Sequence, residues 1–92
     1  MKLQAHIERS LALYGRGDVE VHKHLDERYA DEGSSHRRHR HTLEYVLNMV
    51  TSYGWNYLEA RTAIQHIIDD CGRIMMEDDW KEAKDFILEA VQ

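Results

Sequence analysis

The sequence predicts an all-α fold, a compact bundle of four to five short helices forming one domain over residues 1–92. Three observations predict it. Apolar residues recur at spacings of three and four through five successive segments, the period of a helix with one buried face. Glycines and capping residues separate those segments. No window of useful length alternates apolar and polar residues, as a half-buried strand would.

Leu3, Ile7, Leu11 and Tyr14 mark one face of a first helix, which Gly15-Arg16-Gly17 ends. Asp18 can cap a second segment running to about Ala30, with Val19, His22, Leu25, Asp26 and Tyr29 on one stripe before Gly33. Ser34 or Ser35 then caps a third and longest helix that reaches Gly54, with His36, His39, Leu43, Val46, Leu47 and Val50 facing inward. Asn56 followed three residues later by Glu59 reads as a capping box for a fourth helix. Its face carries Ala60, Ile64, Ile67, Ile68 and Cys71, and Gly72 stops it. Glu77 to Asp79 supplies acidic first-turn residues for a fifth, in which Trp80, Ala83, Ile87 and Ala90/Val91 point inward.

Composition bounds the function. With 42% apolar and 32% charged residues and a mean hydropathy of −0.68, the chain is neither disordered nor membrane-spanning. The longest apolar run, Leu11 to Tyr14, is far short of the roughly 20 residues a bilayer helix requires. The start, MKLQAHIERS, lacks the apolar block of a signal peptide, so a cytoplasmic location is expected. Cys71 is the only cysteine; it excludes an intrachain disulfide and a cysteine zinc knuckle, and reads as a buried, inert thiol. A net charge of −5, with an acidic excess from Tyr45 onward, opposes nucleic-acid binding outside the His36–His41 run. Apolar residues such as Tyr53, Trp55, Tyr57, Phe86, Ile87 and Leu88 are more than five short helices can hide, which predicts a homo-oligomer, a dimer or tetramer.

Seven histidines are the feature that composition leaves unexplained. His22 and Asp26 stand four apart, one helical turn above each other, and His66 and Asp70 repeat the spacing. Between them lies His36-Arg37-Arg38-His39-Arg40-His41, on what should be a core-facing stripe. Imidazole and carboxylate together suit Zn, Fe, Mn or Ni, and bundle cores hold such ions between facing helices. His22, Asp26, His36, His41, His66 and Asp70 are therefore the candidate metal ligands, and Arg37 and Arg40 the candidate partners of Asp26 and Asp70 or of a small anionic ligand. A hydrogen-bonded His/Asp/Arg network without an ion is the alternative. His36 and His41, five apart, lie about 140° from each other around a helix and cannot both face one ion unless His36 sits in a frayed first turn. Gly15-Arg16-Gly17 lacks the rest of a phosphate loop and reads as a helix terminator, and Ser34/Ser35 beside His36 read as caps, not as a nucleophile.

The order HKHLD (His22 to Asp26), HRRHRH (His36 to His41), QHIIDDCGRI (Gln65 to Ile74) and DDW (Asp78 to Trp80) resembles the pattern of a family of small, uncharacterised bacterial all-helical proteins. It is also similar to short proteins encoded on mobile gene cassettes. The resemblance spans about Val21 to Trp80 and implies that His22, Asp26, His36, Arg37, Arg40, His41, His66, Asp70, Gly72 and Trp80 share one polar site. It departs at Met75, where the family has proline, and in lacking an insertion between the third and fourth helices. No activity comes with it. Two function classes follow: a metal-binding helical protein, perhaps extending to a metal-dependent hydrolase in which Arg37 or Arg40 holds an anionic substrate, and a non-enzymatic homo-oligomeric interaction module with a structural polar cluster.

Overall fold

The computed structural model describes residues 2–33 and 37–80, and these are helical with no strand among them. Helix α1 spans Leu3–Tyr14, α2 Val19–Asp26, α3 Tyr29–Glu32, α4 Arg37–Arg40, α5 Leu43–Asn48 and α6 Tyr57–Cys71. A π-helical turn, Met49–Tyr53, continues α5, and residues 77–80 are helical. Among the described residues no helix is long and apolar enough to cross a membrane. His36, the Ser34/Ser35 caps and the residues from Ala83 onward that the fifth helix was expected to bury lie outside the described residues.

Helices α2 and α6 pack side by side, with α5 against α6 and α1 across both. Val21, Leu25, Ala63 and Ile67 meet Val46, Met49, Trp55 and Met75 in the apolar core, with Tyr45, Ile64, Ile74 and Trp80 around it. The other buried face of α2 and α6 carries His22 and His66, and it meets α1. That face of α1 is polar: His6 and Ser10 are buried, whereas Leu11 is half exposed. The apolar stripe expected to bury α1 thus lies at its margin, because a histidine-lined surface is what the helix packs against.

The expected long third helix is broken. At Thr42 the backbone is extended, with φ −133° and ψ 155°, and its hydroxyl accepts the Tyr45 N–H as an N-cap for α5. The Leu43 N–H, which a continuous helix would have paired locally, donates to the Met75 carbonyl at 2.8 Å. The break changes the rotational phase: Val46 and Met49 are buried, while Leu47, Val50 and His39, expected inside, are exposed. The π turn then brings both the Gly54 and Trp55 N–H groups to the Met49 carbonyl and swings Trp55 into the core, against the expectation that it stays outside.

Two caps depart from each other. Asn56 and Glu59 form the expected capping box. Asp18 stands at the start of α2 but does not cap it through its side chain. Its backbone is left-handed, φ 45°, and its carboxylate takes hydrogen bonds from Arg16 at 2.8 Å and from the buried Thr62 hydroxyl at 2.6 Å. A left-handed non-glycine residue is costly, and these bonds hold it there.

Candidate metal centre

The second and sixth helices each present a histidine and an aspartate one turn apart, and the helix break delivers the third element. Because α4 ends at Arg40, His41 is not obliged to follow the helical stripe, and its fully buried ring turns toward α6. Its carbonyl, freed by the break, accepts the Trp80 indole N–H.

Four ligand atoms come together. His41 Nε2 lies 3.0 Å from Asp70 Oδ2 and 3.5 Å from Asp26 Oδ1. His66 Nε2 lies 3.1 Å from Asp26 Oδ1 and 3.3 Å from Asp70 Oδ2. All four atoms lie within 4.8 Å of one another, a grouping that can hold a metal ion. The His41 and His66 rings meet at 61°, edge to face, so both nitrogens can address one point. The Asp70 side chain is 1% exposed and that of Asp26 17%, so solvent reaches the group past Asp26.

A second set, His6, His22 and His66, also brings its nitrogens within 4.8 Å. Its geometry is poorer. The His6 and His66 rings stack nearly parallel, with centroids 3.6 Å apart and 15° between planes. An ion in the plane of one ring therefore lies well out of the plane of the other, whereas imidazole lone pairs lie in the ring plane. These three rings support the first group instead. His6 Nε2 donates to Asp70 Oδ1 at 3.0 Å, and Arg37 approaches the same oxygen at 3.7 Å, so Oδ2 is left to face the histidines. His22 Nδ1 meets His66 Nδ1 at 2.8 Å, and His22 Nε2 meets Ser10 Oγ at 2.9 Å.

The protonation states follow these contacts. Burial alone would raise the Asp26 and Asp70 carboxyls, but hydrogen bonds from His41 and His66, and for Asp70 also His6, hold both well below the usual carboxylate range. Burial would lower His66, and its hydrogen bonds to Asp26 and Asp70 outweigh this and raise it. His22 has no carboxylate contact and is pushed down to about 4 by burial and by the neighbouring His66 and His6. The result is two carboxylate charges around two imidazoles, a setting a divalent cation neutralises.

Of the sequence-predicted residues, Asp26, His41, His66 and Asp70 are brought together, His22 stands one ring behind, and Arg37 lies beside Asp70. Arg40 is elsewhere. It bonds Glu27 at 2.6 Å and the His24 carbonyl at 2.8 Å, because the end of α4 carries it to the far side of α2 from Asp70. Sequence reasoning missed His6 and Ser10. Their spacing of four, with both on one face of α1, was the available signal, and the more obvious Leu3-Ile7-Leu11 stripe obscured it. The Cys71 thiol is half-buried, and burial raises its pKa, as expected of an inert thiol.

No family model, curated protein or solved structure matches the chain in comparisons with known proteins.

Proposed function

We propose that the protein is a metal-binding helical protein whose Asp26, His41, His66 and Asp70 hold one divalent transition-metal ion, Zn, Fe, Mn or Ni. The observation that carries this reading is the double approach of each imidazole nitrogen to two carboxylate oxygens, four contacts of 3.0 to 3.5 Å. A nitrogen carries one hydrogen and so makes one good hydrogen bond, which leaves two of the four contacts poorly served. A tetrahedron of ligands about 2.0–2.1 Å from its centre has edges of about 3.3 Å, the separation these atoms have. Bonds from His6 and Arg37 to the outer oxygen of Asp70 are the kind of support that orients a ligating carboxylate. The motif residues shared with the family of small bacterial proteins include all four ligands, which supports a site common to that family.

Four protein ligands, three of them almost fully enclosed, favour a structural centre, since catalytic ions keep a position for water. The ion would tie α2, α6 and the α4–α5 junction at one point. The hydrolase reading draws on the solvent access past Asp26 and on Arg37, which would meet an anionic substrate there. Elemental analysis of protein purified without a polyhistidine tag is expected to find about one ion per chain, falling to background in D70N. No metal after growth in supplemented medium, with no melting shift on adding each ion, would leave a hydrogen-bonded network. Metal-dependent hydrolysis of a phosphate ester, lost in R37A, would move the assignment from structural to catalytic.

A further inference from the structure

Ser10 sits at the far end of a chain of polar atoms that begins at the carboxylates. Its Oγ lies 2.9 Å from the Gly17 carbonyl, 3.1 Å from that of Ile7, 3.2 Å from that of His6, and 2.9 Å from His22 Nε2. The hydroxyl has one hydrogen. If it went to His22, the oxygen would face three carbonyl oxygens with nothing between them, in a site where Ser10 and His22 are both buried. The hydrogen therefore goes to a carbonyl, Gly17 being the nearest, and Ser10 Oγ accepts the Nε2 hydrogen of His22. His22 is neutral, as its depressed pKa agrees, so its Nδ1 carries a lone pair. The 2.8 Å contact from that lone pair to His66 Nδ1 then requires the hydrogen to be on His66. His66 Nε2, between Asp26 and Asp70, is the nitrogen left for an ion.

We infer that Ser10 is a positioning residue for the metal centre: through its hydroxyl it fixes the tautomer of His22, and through His22 that of His66, so that Nδ1 of His66 holds its hydrogen and Nε2 is free to ligate. This rests on reading Asp26, His41, His66 and Asp70 as a metal centre. Such a ligand-orienting hydrogen bond, here passed through a second imidazole to a serine, is the usual arrangement behind a ligating histidine. The neutral reverse chain, hydroxyl to His22 and His22 to His66, would put a hydrogen on the ligating nitrogen.

The test uses the whole chain loaded with Zn²⁺ and labelled with ¹⁵N-histidine. Long-range proton–nitrogen correlation spectra are expected to show His22 as the Nε2–H tautomer and His66 as the Nδ1–H tautomer. S10A is expected to abolish the single tautomer of His22 and to weaken Zn²⁺ binding about 10- to 100-fold in competition titration. Zinc bound by the wild-type protein with His22 as the Nδ1–H tautomer would overturn the inference and leave the metal centre standing. So would an S10A variant with unchanged zinc affinity. A wild-type protein that takes up no zinc would overturn the metal centre first, and the positioning role with it. The wild-type spectrum decides the tautomers even if S10A does not fold.

Discussion

The Trp80 indole donates its N–H to the His41 carbonyl at 3.3 Å, linking the last described helical turn to the residue at which the middle of the chain stops being helical. His41 is a ligand candidate because it left the helix, and its liberated carbonyl needs a donor. W80F keeps the ring and removes the donor. It is expected to lower stability by about 1 kcal/mol and to weaken metal binding, measured by urea unfolding and by Zn²⁺ titration. Unchanged values for both would mean that His41 is held by its ring contacts alone.

Removing one ligand should separate metal from fold. H66A and D70N are each expected to lose metal more than about 100-fold, since even outer partners of a ligand change affinity by about 10–100-fold. The comparison is L25A. Leu25 is fully buried in the apolar core, and its truncation is expected to cost about 2–5 kcal/mol by calorimetry while leaving the metal stoichiometry at about one.

Stability of the chelated protein is expected to pass through a maximum near neutral pH. His22 has a folded pKa of about 4 against an ordinary 6.5, so the unfolded chain takes a proton that the fold refuses. That contribution, about 3 kcal/mol, is lost as pH falls from about 6.5 to about 4. The depressed Asp26 and Asp70 add their own loss as pH falls below the ordinary carboxylate value. His66 is raised, so its contribution is complete below 6.5 and is lost as pH rises through its folded pKa. An ion on Nε2 takes the place of that proton. Melting temperatures of the loaded protein should therefore lack the alkaline decline, and a decline identical with and without metal would count against an ion at His66.

Asp18 and Thr62 make a separate structural joint between the α1–α2 turn and α6. T62V is expected to cost about 1–3 kcal/mol, the value of a hydrogen bond to a buried charged group. D18A should cost more, because it also leaves an alanine in a left-handed backbone conformation. D18G, which relieves the backbone, should fall between wild type and D18A in thermal unfolding.

Self-association is expected through the aromatic surface that the described fold leaves open. Tyr53 and Tyr57 are 73% and 77% exposed, and Leu47 is 56% exposed. Light scattering at micromolar concentrations is expected to give a dimer or tetramer, and Y53E/Y57E a monomer. A wild-type monomer across that range would remove the oligomer.

Helices were legible where apolar spacing and caps agreed, as in α6, whose capping box and Gly72 stop are both present. They were not legible where tertiary contacts override local preference. Nothing in the run from Arg37 to Val50 contains proline or glycine, yet Thr42 leaves the helix because its neighbours find better partners in Met75, Trp80 and α6. The two His-Asp pairs were legible from spacing alone. His6 was not, because it sits on α1, 16 residues from His22 and far from any carboxylate in sequence, and only packing brings it to Asp70.

The π turn at Met49–Tyr53 holds one residue more per turn than an α-helix would. Deleting a single residue between 50 and 53 would allow an unbroken α-helical turn and would still leave Trp55 next to Gly54. It would also rotate everything after it by about 100° relative to α5. Trp55 would leave the core, and α6 would present a different face to α2. The surplus residue thus works as a phase adjuster: it reconciles a helix whose rotation is set by the Thr42 cap with one whose rotation is set by where His66 and Asp70 must point.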